Sequence, residues 1–225
     1  MLIVRVWLKG DIMQGFDLRW TAMMGNVRGV CPEDLRKFEH AEKDGLSILQ
    51  HKGKIITLDK VKCKHGDPLL AQWIDHYYYS LSYNAATIQD ASNIGRAASD
   101  TTSDTDLGQT TGNESYGIRL GMSNTGVVIT DYSLINIIAD GTGANQLIHT
   151  LCKPRYIVSG TTTRSVYLSR GFANYSGSSI TVEECGIFSQ NSVGNQFLLA
   201  RDLTGSISVA QASVVFFMYD FTISV

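Results

Sequence analysis

The plainest pattern in the chain lies at its C-terminal end. In ASVVFFMYDFTISV, Val215, Phe217, Tyr219, Phe221, Ile223 and Val225 fall on one face, the period of two that a β-strand imposes. Val214, Phe216 and Met218 make the other face apolar as well, so the strand predicts cover on both sides, by a second layer of chain or by a neighbouring subunit. From Tyr116 onward, short apolar runs recur: YGIRLGM, VVIT, LIHTLCK, RYIVSG, TTRSVYLSRGFA, SITVEECGIFS and QFLLARD. Between them stand turn sequences at Ser123 to Gly126, DGTGANQ, and Asn174 to Gly177. This spacing predicts an antiparallel β-sandwich over residues 116–225.

The earlier part mixes periods. Residues 2–8 alternate as a short strand, and Pro32-Glu-Asp opens a helical stretch with Leu35 and Phe38 as its stripe and Gly45 as its stop. ILQ and KIITLDKV flank the His51-Lys-Gly53 turn as a small hairpin. In GDPLLAQWIDHYYYSLSY, Asp67 suits an N-cap and Pro68 the first helical position. Leu70, Trp73, Ile74, Tyr77 and Leu81 recur at spacings of three and four, predicting a docking helix over 68–83. Tyr77, Tyr78 and Tyr79 go round that helix, so at least one ring is expected to point away from the chain's own core, and a subunit contact is one outlet for it. Residues 85–115 are rich in Ser, Thr, Asp, Asn and Gly and read as a polar linker or long loop. The expected organisation is therefore mainly β: a smaller N-terminal α+β segment (1–84), the linker (85–115), and an antiparallel β-sandwich, jelly-roll or Greek-key-like (116–225).

Composition agrees with a folded, β-rich chain: 225 residues, 44% hydrophobic, 18% charged, 21 glycines and three prolines. A net charge of -2 gives no general attraction to phosphate or anionic lipid, so neither nucleic acid nor membrane is an expected partner. The surfaces of the two parts differ, since residues 1–67 carry 12 basic and 9 acidic side chains and residues 68–225 carry 7 and 12. Cys31, Cys63, Cys152 and Cys185 are scattered without a CxxC pair and are expected as free thiols. No apolar run reaches the length of a membrane helix, and Arg5, Lys9 and Asp11 interrupt any signal-peptide core, which predicts a soluble protein made in the cytoplasm.

The chemical candidates reduce on inspection. Glu183 and Glu184 are neighbours in a strand and point to opposite faces, so one site cannot use both. Glu184 shares a face with Ile180 and Val182, which would bury it, and a buried carboxylate needs a partner; Arg170 and Arg201 are the candidates for a structural ion pair. Cys185 has no base supplied by its neighbours and reads as a packed thiol, while Ser176, Ser178 and Ser179 lack a GxSxG frame and read as turn formers. Cys63-Lys-His65-Gly-Asp67 lacks the second ligand pair of a zinc site, and Asp104-Thr-Asp106-Leu-Gly108 has the wrong spacing for an EF-hand. Gly141-Thr-Gly143 has no helix behind it to bind phosphate and reads as a hairpin turn. No catalytic, metal or cofactor constellation is expected.

Several of these motifs together resemble tailed-bacteriophage virion proteins. They are Tyr116-Gly-Ile-Arg-Leu-Gly121, Asp131-Tyr-Ser-Leu134, Gly143-Ala-Asn-Gln-Leu147, Arg170-x-Phe172-x-Asn174-x-Ser176-Gly177, Ile180-x-Val182-x-Glu184-x-Gly186 and Leu199-Ala-Arg201-Asp202. The resemblance covers residues 116–225 and implies a small β-rich structural part of a virion, non-enzymatic and homo-oligomeric, joined to other tail or capsid subunits. A tail, baseplate or fibre component is the first expectation, and a head-decoration protein is the alternative. A host-glycan adhesin is a further alternative, with Trp73 and Tyr77 to Tyr79 as possible sugar-stacking rings. Val214, Phe216 and Met218, with Tyr77 to Tyr79, are the expected subunit interface.

Overall fold

The computed structural model describes residues 15–43, 46–65, 87–97, 107–159, 163–191 and 193–224. The expected strand 2–8 and the docking helix 68–83, with Trp73 and Tyr77 to Tyr79, lie outside the described residues. The described chain is mainly β, and its one described helix, α1 (Pro32–Leu35), is a single turn.

A nine-stranded sheet carries most of the molecule. Its centre is β14 (Ser213–Ser224), flanked by β1 (Gly15–Asn26) and β11 (Thr163–Ala173), both antiparallel. Beyond β1 come β4 (Lys54–His65), β3 (Leu46–His51) and β2 (Glu39–Lys43). Beyond β11 come β10 (Lys153–Ser159) and β9 (Gln146–His149), and β8 (Ala139–Asp140) joins β9 in parallel, so the sheet is mixed. The Gly141 to Gly143 turn thus precedes a parallel pairing, where a hairpin is expected. Opposite this sheet lies a three-stranded one, β13 (Gln196–Val209), β12 (Ile180–Gln190) and β7 (Gly117–Gly121). A small hairpin, β5 (Thr87–Gln89) and β6 (Gly95–Ala97), stands apart.

One core fills the space between the two sheets. Trp20, Leu168, Phe172, Val215, Phe217 and Tyr219 from the large sheet meet Ile118, Val182, Ile187, Phe197 and Leu199 from the small one. The alternate face of β14 meets a second core inside the curl of the large sheet. Val214 and Phe216 are buried there against Leu35, Phe38, Leu49, Ile56 and Leu58, with Met218 packed at the margin. The expected interface of Val214, Phe216 and Met218 is therefore interior: the cover comes from the chain's own β2–β4 segment. Curling brings the β2 edge back to β10, where the Arg155 guanidinium donates to the His40 carbonyl oxygen and Lys153 Nζ stands 3.8 Å from Glu39.

Local chemistry explains the departures from expectation. The β3–β4 hairpin turns at Lys52 and Gly53, both at positive φ (46° and 80°), the two-residue turn whose twist suits a hairpin. The helix at Pro32 ends after one turn because the chain re-enters the sheet: residues 39–43 pair with β3 and bury Phe38 on the way. Parts of the expected linker hydrogen-bond into the body, through Ala91 N–H to the Gln196 carbonyl and Gly112 N–H to the His149 carbonyl. Residues 174–177 do not close a hairpin, since β11 and β12 belong to different sheets. They cross between the two layers, and buried Asn174 holds the crossing by donating to the Ser178 and Val209 carbonyls while accepting the Ser176 N–H.

Candidate functional site

A β-bulge sets the phase of the sequence-predicted acid. Register between β12 and β13 shifts between Val182 and Glu184, with Gly205 and Ser206 at positive φ on the opposite strand. Ile180, Val182, Cys185 and Ile187 consequently face the inter-sheet core, and Glu184 turns to the other side of the small sheet, where Leu134, Phe188 and Leu198 form a third cluster. Glu184 does not share a face with Val182, because the bulge inverts the alternation between them. Glu183 is left at the surface and accepts from the Ser206 hydroxyl.

Glu184 is nevertheless fully buried, with its partner Arg201 1% exposed. Arg201 Nε donates to Glu184 Oε2 at 2.7 Å, and its Nη1 donates to Asp131 Oδ2 at 2.7 Å. The same guanidinium reaches the carbonyls of Thr125 (3.0 Å) and Gly126 (3.3 Å). Glu184 Oε1 accepts the Ile135 N–H at 2.7 Å. Burial pushes the Glu184 carboxyl pKa up against the pull of Arg201 and the Ile135 N–H. Burial also works to lower the Arg201 pKa, but the hydrogen-bonded carboxylates outweigh it and raise it. Each Glu184 oxygen accepts one hydrogen bond and the side chain is shut off from solvent, so in this conformation the carboxylate ties Arg201 and the Ile135 amide together inside the protein.

What the network holds is the loop of residues 122–138. Asp131 Oδ2 also accepts the Val128 N–H, and the Asp131 N–H returns to the Val128 carbonyl, closing a tight turn. VVIT is this turn, where a strand is expected. Val127 packs beneath, while Val128 and Ile129 stand 56% and 59% exposed and Ile135 40%. Asp131 and the Ile135 amide are the parts of the site that sequence reasoning misses; the available signal is Gly126 and Asp131 bracketing the apolar run, the punctuation of a loop.

Arg170 does not meet Glu184. It lies buried at the other end of the core, donating to the carbonyls of Thr150, Ile118 and Asn113, with its guanidinium carbon 5.7 Å from the Phe172 ring centre. Beside it, His149 packs edge-on to Phe172, and neither of its ring nitrogens has a hydrogen-bond partner among the described residues. Burial and Arg170 lower its pKa to about 3. Its backbone N–H donates to Asp140, whose other oxygen takes Arg36 at 2.5 Å, tying α1 to β8 and β9. Desolvation opposes ionisation of Asp140, yet Arg36 and the His149 N–H hold its pKa below the usual range.

Cys185 packs against the Tyr219 hydroxyl at 3.1 Å, and that hydroxyl donates to buried Asp202. Burial, with Cys185 and Asp202 beside it, raises the Tyr219 pKa well above normal. Ser176 and Ser179 bond within and beside the crossing turn. Among the described residues no group of three His, Cys, Asp or Glu side chains is arranged to hold a metal. Asp67, Asp104 and Asp106 lie outside the described residues. No protein-family model, curated protein or solved structure matches this chain.

Proposed function

We propose that the chain is a non-enzymatic structural component of a tailed-bacteriophage virion, present in several copies and attached to other virion subunits through a jelly-roll- or Greek-key-like sandwich. A tail, baseplate or fibre position is the first choice, with head decoration as the alternative. The word phage rests on the likeness of the motifs over residues 116–225. The observation that carries the attachment role is the 122–138 loop, whose backbone is fixed by buried Arg201 and Glu184 while its aliphatic tip faces solvent. Buried charges spent on a fixed, exposed apolar loop suit recognition of a partner. The rings that a host-glycan reading needs, Trp73 and Tyr77 to Tyr79, lie outside the described residues.

The test is cryo-EM and quantitative mass spectrometry of purified particles from cells that express this chain. A multiple-copy protein on tail or baseplate is the expected result, and density on the head selects the decoration alternative. Absence from intact particles refutes the virion role.

A further inference from the structure

β2 and β10 face each other across the mouth of the curled sheet without forming a ladder: among the described residues β2 pairs with β3 alone and β10 with β11 alone. Side chains close the seam. The Arg155 guanidinium donates to the His40 carbonyl oxygen, and Lys153 Nζ stands 3.8 Å from Glu39. The His40 ring turns inward, its centre 4.4 Å from that of Phe216, and its Nε2 is buried with no hydrogen-bond partner among the described residues. The charged groups that line the gap with it are Lys153 and Arg155 from β10 and Glu39 from β2. β14, β11 and the chain leading into β10 bring Phe216, Ser169, Thr150 and Leu151, none of them charged. Glu39 is more than half exposed and lies beside Lys153. An imidazolium at His40 is therefore a buried cation beside Arg155, without a carboxylate of its own. The Phe216 face favours a cation, but burial and Arg155 outweigh it and lower the His40 pKa to about 4.

We propose that the β2–β10 seam is an acid-opened latch with His40 as its proton trigger: protonation parts β2 from β10 and uncovers the second core around Phe38 and Phe216. The device goes beyond the virion reading and does not depend on it. In the closed seam His40 stays neutral, and in the open one it titrates near 6.5, so the seam is fully held above pH 6.5 and loosens as pH falls towards 4. Between pH 7 and pH 5 that difference raises the ratio of open to closed molecules about twentyfold. The opening is local because β14, which carries Phe216, keeps its ladders to β1 and β11.

The probe is Ser169→Cys, which sets a thiol at a position 5% exposed and lining the gap. Its alkylation by iodoacetamide is followed in the full chain by peptide mass spectrometry from pH 7 to pH 5, each rate divided by that of the unfolded chain at the same pH. Native Cys185, wholly buried between the two sheets, is read in the same samples. Labelling at position 169 should rise about twentyfold as pH falls, with Cys185 at least about tenfold slower throughout. His40→Gln and His40→Phe do not titrate and should each hold the rise below about threefold, whereas His149→Leu should keep it. Either His40 variant that melts within a few degrees of the parent at pH 7 suffices for the comparison. A flat response in the parent, or an equal rise in a folded His40 variant, overturns the latch. Loss of the rise in His149→Leu moves the trigger to His149, and Cys185 labelling in step with position 169 shows global unfolding; either result overturns it as well.

Discussion

Removing Arg201 and Glu184 singly and together measures what the buried network is worth. Arg201→Met leaves the Glu184 carboxylate, fully buried, with only the Ile135 N–H, and takes the donors from Thr125 O, Gly126 O and Asp131. An uncompensated buried charge of this kind costs about 3–5 kcal/mol. Glu184→Leu leaves Arg201 still paired with Asp131 at 2.7 Å but orphans the Ile135 amide, which places its cost at about 2–3 kcal/mol. In the double variant no charge is stranded between the two positions, so its cost should be less than the sum of the singles by about 2 kcal/mol. Urea unfolding at neutral pH, with m-values compared across the cycle, gives these numbers directly. Amide exchange at Val128 and Ile135 should accelerate in Arg201→Met while β12 and β13 stay protected, because the network pins the loop onto a sheet that has its own ladder. Additivity within about 0.5 kcal/mol would refute the coupling, and unchanged exchange in the loop would refute its role as an anchor.

Three other outcomes follow from the packing. Phe216→Ala, at a position 2% exposed inside the curl of the large sheet, should cost about 3–5 kcal/mol in urea unfolding and leave the light-scattering mass of the folded protein unchanged. His149 is held neutral when folded, with a pKa of about 3 against 6.5 for the free side chain, so its contribution is complete above pH 6.5 and is lost as pH falls towards 3. That amounts to about 2 kcal/mol between pH 6.5 and 5, visible as a falling melting temperature that His149→Leu flattens. Gly121→Ala would place a methyl group 2.8 Å from the Ile135 carbonyl and against the Glu184 carboxylate. A loss of roughly 1–3 kcal/mol by denaturant titration, together with faster exchange at Ile135, is expected, and a neutral result would show that the loop gives way freely.

Short-range periodicity is legible in the residues alone. The alternation in Val214 to Tyr219 marks β14 as a strand apolar on both faces, and the His51-Lys-Gly53 turn between apolar runs marks the β3–β4 hairpin, whose positive φ at Lys52 only the structure shows. The sequence also pointed to Glu184 as a buried acid in need of a cation, with Arg201 among the candidates. Tertiary structure decided everything that depends on distance along the chain. Which layer covers Phe216 is set by the curl of β2–β4, a long-range pairing that no local pattern encodes. Which arginine meets Glu184 is set by the bulge opposite Gly205 and Ser206, since one slipped register exchanges the two faces of a strand. Val128 and Ile129 make the contrast sharpest. Their β-branched side chains read locally as strand, but the buried Arg201 and Glu184, far along the chain, hold that segment as a loop and leave its aliphatic tip in solvent.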